Sequence, residues 1–332
     1  MATLKDVAEL AAVDISTVSR ALNNTSYVHP DTKARIYAAA KELGYRPNLT
    51  AKALRQGRRY TIGMVVPRLH LAIFSEILQG AEREARKRGY ATVICVTEDD
   101  PKTERDCLER LRGGLVDGII IAATGRNNRL LRDIEASEIA VVQLVREQEP
   151  RISSIVADYE MCGYDAVRFL YDRGCRNIGL ISGSLHLAPY RKRQDGYCRA
   201  VRELGLEENL SECEYPVNSF EYGYACAKQL LNDNDRLDAI IAAVDVQGLG
   251  ATRFLTEGGK TGEQIKVMSL TGHSVGRMLQ TTMTSMEMPA HEMGANAARM
   301  VIEKIEAPAS EKPSIQHMTF ATTLVEREST GS

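Results

Sequence analysis

From Thr61 onward the sequence keeps one rhythm, in which a continuous apolar run, an amphipathic stretch and another apolar run follow each other. The runs TIGMVVP, ATVICVT, VDGIIIAA, IAVVQLV, SSIVAD, NIGLISG, LDAIIAAV and KVMSL read as strands. SEILQGAEREARKRG, TERDCLERLRGG, CGYDAVRFLYDRG, RQDGYCRAVRELG and GYACAKQLLND read as helices between them. Strands that are apolar throughout must be covered on both faces, which indicates parallel sheets flanked by helices. The 272 residues after position 60 are many for one such sheet, so two α/β halves are expected. Ligands in such folds sit at the carboxyl ends of strands, which makes the segments just after the strands the ones to watch.

The first 60 residues are patterned differently. TLKDVAELAAV, DISTVSRALN and the stretch from Asp31 to Leu43 have helical periodicity, and RPNLTAKAL closes the segment. Val7, Leu10 and Ala11 form one apolar stripe, and Ile36, Ala40 and Leu43 another. Asp14 is placed to cap the second helix, Pro30 to open the third and Gly44 to stop it. In the second helix Val18, Ala21 and Leu22 share the inward face, while Ser16, Thr17 and Arg20 point away. A small, polar, basic face suits a DNA major groove, where arginine bonds guanine bidentately and hydroxyls bond bases or phosphates. An ordinary solvated helix face accounts for it equally well. The short turn between the two helices and the local positive charge favour a helix-turn-helix. Residues Asn48 to Leu54 contain helix formers but little to bury, so any helix there needs an outside partner to order it.

Residues 1–60 carry 10 Lys and Arg against 5 Asp and Glu, whereas the rest of the chain carries 32 against 39. This asymmetry points to a polyanion partner for the head alone, with a solvated basic face as the alternative. At 44% hydrophobic and 26% charged, the composition is that of a globular protein. The seven cysteines, at 95, 107, 162, 175, 198, 213 and 226, show no CxxC spacing, and Cys95 lies within an apolar run. Buried, reduced thiols and no metal site are expected. The first residues pass straight into helix without a signal-like apolar core, and no apolar run approaches about 18 residues. A cytoplasmic protein without a membrane span is expected. GxSxG, HExxH and a Walker loop are absent, and GLISGSL lacks a phosphate-loop lysine, so neither catalysis nor a cofactor is expected. His70 and His186 follow strands and could face a ligand, although a solvated loop histidine is the commoner case.

Together these segments resemble the LacI/GalR family of transcription regulators. TLKDVAELAAV…DISTVSRALN…GYRPNLTAKAL follows that family's head, and IVADYEMCGYDAVRFLYDRGCRNIGLISG its strand-helix-strand segment. RQDGY, VDVQGLGA and LVEREST also fit, so the resemblance spans essentially the whole chain. It implies an all-α helix-turn-helix head over residues 1–46 and a hinge helix with linker over 47–60. It further implies a periplasmic-binding-protein-like core over 61–332, made of two doubly wound parallel-sheet subdomains, about 61–158 with 289–323 and about 159–288. The chain would cross between them three times. A homodimer is implied, placing two heads on a pseudo-palindromic double-stranded operator. A small-molecule effector would lie between the subdomains, sugars and sugar derivatives being the family's commonest ligands.

Carried over position by position, the resemblance sets Ile15, Ser16 and Arg20 at base-reading positions and Thr17, Ser19 and Asn23 at phosphates. Tyr45 and Asn48 would support hinge and backbone contacts, and Leu54 would wedge into the central minor groove. Ile73, Phe74, Asp158, Arg193, Asn218 and Asp245 fall to the effector cleft. Structural alternatives stand beside these: Phe74 as core, and Arg193 with Asp245 as an ion pair across the cleft. Arg191 and Lys192 leave room for an acidic or phosphorylated effector, or are solvated charges. Three departures from the family pattern stand out. Ala12 takes the place of a turn glycine, at ~1 kcal/mol if the left-handed geometry is kept. His29 replaces a hydroxyl cap, and Gly272 with His273 replaces an acidic pair. The implied function is a DNA-binding repressor under allosteric control by its effector. Its rivals are a transport-type binding protein, which would need a secretion signal and no basic head, and an enzyme on an α/β scaffold, which would need a nucleophile or metal cluster.

Overall fold

The computed structural model describes residues 2–23, 26–45, 58–214, 216–259, 264–272, 274–311 and 313–331. They form two compact units that divide between Arg59 and Tyr60.

In the first unit, helix α1 (Leu4–Leu10) opens with a capping box. Thr3 N donates to Asp6 Oδ2 at 2.7 Å, and Asp6 N donates to Thr3 Oγ1 at 3.3 Å. The hydrogen bonds from Thr3 hold the Asp6 carboxyl below its usual pKa. A turn at Ala12, where φ is 49°, leads into α2 (Ile15–Asn23), so the left-handed geometry is kept despite the Cβ. Helix α3 (Pro30–Glu42) starts from His29, whose Nδ1 accepts from Asp31 N at 3.4 Å. It stops at Gly44, beyond which Tyr45 N reaches back to Ala40 O. Val7, Ala8, Ala11, Val18, Ala21, Ile36 and Ala39 form the core of this unit. Leu10 and Leu43, expected inside, are 46% and 37% exposed.

The second unit holds two six-stranded sheets. The first contains β1 (Thr61–Val66), β2 (Ala91–Val96), β3 (Gly118–Ile121), β4 (Ala140–Leu144), β5 (Ser154–Ala157) and β11 (His317–Phe320). Its order is β11-β5-β4-β3-β1-β2 and every pairing is parallel. The second contains β6 (Ile178–Ile181), β7 (Asn209–Ser211), β8 (Ala239–Ala242), β9 (Lys266–Ser269), β10 (Thr284–Glu287) and β12 (Thr323–Val325). Its order is β12-β10-β9-β8-β6-β7, and only β12 runs antiparallel to its neighbour.

Helices cover both faces of each sheet. Against the first pack α4 (Ala72–Lys87) with α11 (Ala290–Glu306) on one side and α5 (Pro101–Arg112) with α6 (Asn128–Ala136) on the other. Against the second pack α7 (Tyr159–Asp172) with α8 (Ala188–Glu203), and α9 (Phe220–Asp233) with α10 (Asp245–Glu257). Paired helices touch backbone to backbone at glycines: a Cβ at Gly80 would lie 2.0 Å from His291 O, and one at Gly163 2.1 Å from Arg193 O. The chain leaves the first sheet after β5, returns after β10 and leaves again between Phe320 and Thr323.

The eight strands read from apolar runs are present, but β7, β10, β11 and β12, which carry polar residues such as Asn209, Ser285, His317 and Thr323, have no such run. β2 departs from the expectation of a covered strand: it is the sheet edge, and Val93, Ile94 and Val96 are 40%, 48% and 36% exposed. All seven cysteines are free, yet only Cys162, Cys175 and Cys226 are buried, and the Cys226 sulfur lies 3.0 Å from that of Cys213. Among the described residues no helix is long and apolar enough to cross a membrane.

Candidate DNA-reading face and effector cleft

Helix α2 starts where the Asp14 carbonyl accepts Thr17 N and Val18 N at 2.9 and 3.1 Å, the position of an N-cap. Because Val18 and Ala21 are fixed inward, Ile15 (48% exposed), Ser16 and Arg20 face out, with Thr17 and Ser19 half-buried at the margins. Arg20 lies along the helix, Nη2 donating to Thr17 Oγ1 at 3.0 Å and Nε to Ser16 O at 3.3 Å. Asn23 is the last residue of the helix, and Tyr45 packs partly buried against the head core. Asn48 and Leu54 lie outside the described residues, as does the hinge.

In the second unit, three fully buried polar side chains fix the loops that follow the strands. Glu104 accepts from Thr124 N at 2.7 Å, Thr124 Oγ1 at 2.8 Å and Asn127 Nδ2 at 2.8 Å, which sets the loop bearing Arg126. Gln143 accepts from Gln148 N and Glu149 N and donates to Glu149 O and Ile152 O, which sets the loop bearing Arg146. Gln247 donates to Ser182 O and Val217 O, both at 2.9 Å, and accepts from Val244 N at 3.3 Å. Buried polar groups satisfied in this way rigidify their surroundings.

Loops set by Glu104 and Gln247 help to line two clefts between the halves. The larger, about 320 Å³, is lined by Arg68, Asp99 and Arg126 from one side and by His186, Tyr190 and Asn218 from the other, among further residues. The smaller, about 210 Å³, lies between His70–Ile73 and Val244–Val246, with Leu249 and Thr271 completing it. Asp245, 8% exposed, accepts from Ser269 Oγ at 2.5 Å and Thr271 Oγ1 at 3.3 Å through Oδ1, while its buried Oδ2 has no hydrogen-bond partner among the described residues. Arg193, 3% exposed, donates from Nη2 to Leu270 O at 3.1 Å and stacks 4.9 Å over the Tyr159 ring. Its buried Nε is unpartnered. Among the described residues no ion pair joins Arg193 to Asp245; each spends its bonds on its own surroundings.

Arg146, buried at the end of β4, holds Asp99 Oδ1 at 2.6 Å. Val145 beside it has φ 66°, which is costly for a β-branched residue. Burial pushes the Tyr159 phenol up to about 12, against the pull of Arg193 and Arg146. Tyr190 is raised by burial as well, and its hydroxyl donates to Asn218 Oδ1.

Of the cleft residues named from sequence, Ile73 and Asp245 line the smaller cavity, Asn218 the larger, and Arg193 is buried against Tyr159. The other two, Phe74 and Asp158, are placed away from both cavity linings. Phe74, 4% exposed, belongs to the core of the first sheet and not to either cavity lining, because the α4 register that turns Ile73 toward the cavity turns Phe74 inward. Asp158 spends Oδ1 as the cap of α7, accepting from Met161 N at 3.0 Å. Arg191 and Lys192 are exposed, and neither lines a cavity. Sequence reading missed Arg68, Asp99, Arg126, Arg146, Tyr159 and Tyr190. Each follows a strand closely, or lies near the start of a helix, and that placement was the available signal.

A helix-turn-helix head joined to a two-halved α/β core with a cleft at its strand ends defines a ligand-responsive DNA-binding regulator. Residues 3–48 match the family described as bacterial regulatory proteins, lacI family, and residues 59–323 match the periplasmic binding proteins and sugar binding domain of LacI family. The chain therefore belongs to the LacI family; it is a transcription regulator and not an enzyme. It is similar to the ribose operon repressor of Escherichia coli (strain K12), at 30% identity over 335 residues, covering 99% of this chain and 100% of the relative. It is also similar to the HTH-type transcriptional repressor PurR of Haemophilus influenzae (strain PittEE), at 30% identity over 308 residues, or 92% and 91% of the two chains. The solved lac repressor dimer bound to operator and the anti-inducer ONPF shares the fold, with a TM-score of 0.86 at 24% identity over 100% of this chain and 99% of that one.

Proposed function

We propose that the protein is a cytoplasmic, homodimeric repressor whose two heads read the half-sites of a pseudo-palindromic operator and whose cleft binds a sugar or sugar derivative. The observation that carries the cleft reading is a pair of unspent polar atoms, Asp245 Oδ2 and Arg193 Nε, both buried. Charged groups buried with bonds unmade are costly, and a hydroxylated ligand supplies what both lack, since a hydroxyl donates to carboxylate and accepts from guanidinium. Ile73 offers an apolar wall and Asn218 an amide from the facing loop. On the head, Ile15, Ser16 and Arg20 face the bases, Thr17, Ser19 and Asn23 the phosphates, and Tyr45, Asn48 and Leu54 serve the hinge. The division at 1–46, 47–60 and 61–332 belongs to the same proposal.

A second copy of the chain fits the exposed edge strand β2, since an unpaired edge carrying Val93, Ile94 and Val96 is a ready template for association. Effector binding then favours one relative orientation of the halves, and the spacing of the paired heads follows as a coupling free energy between the two sites.

Two variants of the full-length protein test this reading. Asp245→Asn is expected to abolish the melting-temperature gain from an effector found in a sugar panel while leaving operator binding intact. Arg20→Ala is expected to do the reverse. If either variant lost both properties, or neither, the division of labour would be wrong.

A further inference from the structure

The larger cavity has more positive than negative charge. Arg68 and Arg126 line it, and Asp99 is the one carboxylate among its described lining residues. That carboxylate is already committed, with Arg146 at 2.6 Å and Arg68 Nε at 3.9 Å. Among the described residues Arg68 Nε itself is buried without a hydrogen-bond partner, and its Nη2 donates to the Glu98 carbonyl at 3.2 Å. Arg126 is exposed and joins no ion pair among the described residues. A guanidinium does not give up its proton at any ordinary pH, so the surplus must be met by solvent ions or by a ligand.

The backbone adds to this field. Pro101, the first residue of α5, and Leu187, at the N-cap of α8, both line the cavity; the Asp100 carboxylate caps α5, so it is the start of α8 that brings its positive end there. Leu187 has no side chain with which to cap α8. Asn218 accepts from Tyr190 through Oδ1, which leaves its Nδ2 hydrogens as donors on the facing wall. The smaller cavity differs, because its lining is mostly apolar and carries the Asp245 carboxylate.

From this imbalance we infer that the larger cavity receives an anionic group, the carboxylate or phosphate of an acidic effector, held by Arg68 and Arg126. The inference rests on the cleft being the effector site, and it places the cations on the first subdomain rather than on Arg191 and Lys192. A planar carboxylate and a tetrahedral phosphate both take bidentate bonds from arginine, so the shared chemistry is an oxyanion.

The test begins with inorganic phosphate and the full-length protein. Phosphate is expected to raise the melting temperature above that in chloride of equal ionic strength, and Arg126→Gln, a surface change, should remove the gain. The absence of a gain, or an equal gain in the variant, overturns the inference. The second arm compares neutral aldoses with their uronates and terminal phosphates. An acidic member should bind roughly 10- to 100-fold more tightly than its neutral parent, as expected for a charged hydrogen-bond partner, and which acid wins separates carboxylate from phosphate. A neutral sugar that binds as tightly as its acids, lost in Asp245→Asn but unchanged in Arg126→Gln, would keep the effector cleft and refute the anion site. Arg126-dependent phosphate binding with no panel member changing operator affinity would instead sink the effector reading.

Discussion

The Tyr159 hydroxyl donates to the carbonyl of Val145 at 2.8 Å, joining the first residue of a second-subdomain helix to the end of a first-subdomain strand. Arg193 stacks on the other side of this link, and Arg146 follows Val145 directly, so one bond organises both buried arginines at the crossing point. Tyr159→Phe would leave the carbonyl buried and unpaired. A stability loss of about 1–3 kcal/mol is expected, measurable by urea denaturation, together with weaker effector binding. A variant as stable as wild type would mean that the link does not hold the strained Val145 in place.

Gly163 lies beneath Arg193. A Cβ there would sit 2.1 Å from the Arg193 carbonyl oxygen, so Gly163→Ala must push α8 away from α7. Gly80→Ala makes a comparable clash, 2.0 Å from His291 O, between α4 and α11, two turns along α4 from Ile73. Both should lose about 1–3 kcal/mol of stability, but the first, directly at Arg193, should weaken effector binding the more. Calorimetric titration of the two variants separates the outcomes.

The loop that presents Arg146 is also held from outside. Glu149, 4% exposed, takes Arg132 at 2.5 Å and Arg151 at 3.1 Å. Burial pushes the Glu149 carboxyl up, but these arginines outweigh it and leave its pKa below the usual value. A depressed carboxyl contributes stability that is fully present above its unfolded pKa, about 4.3, and is lost as pH falls through the folded value. Glu149→Gln should therefore lower the melting temperature at neutral pH, and the gap to wild type should close in acid. A gap that widens on acidification would show the sign to be wrong.

The edge of β2 carries a prediction for assembly. Ile94, 48% exposed, sits amid Val93 and Val96. Ile94→Asp should shift sedimentation toward a monomer and weaken operator binding, because a single head loses its partner's half-site. Little change in folded stability is expected from so exposed a position. An unaltered dimer would place the interface elsewhere.

The apolar runs made the sheets legible because a strand covered on both faces needs no polar alternation. The same rule failed for β7 and β12, three residues each, which are held by neighbours rather than by their own composition. It also concealed that β2 is an edge, since an apolar edge strand reads like a covered one. In the cleft, Asp245 and Arg193 were visible through the family pattern. Asp99 with Arg146 was not, because the two are 47 residues apart and meet only when neighbouring strands align their ends. Phe74 took the alternative that stood beside its cleft role: it is 4% exposed in the core of the first sheet, about 100° around the helix from Ile73.

The three passages of the chain between the sheets have a consequence for the order in which the protein is made. The helices of the head are complete by Glu42, but the core of the first subdomain includes Met293, Ala297 and Val301 of α11, and β11 and β12 come later still. At ordinary elongation rates roughly 10–50 s of synthesis separates the two. A nascent chain on the ribosome therefore carries a finished basic head well before either half of the core can close, and the DNA-reading part exists for that interval without the part that regulates it.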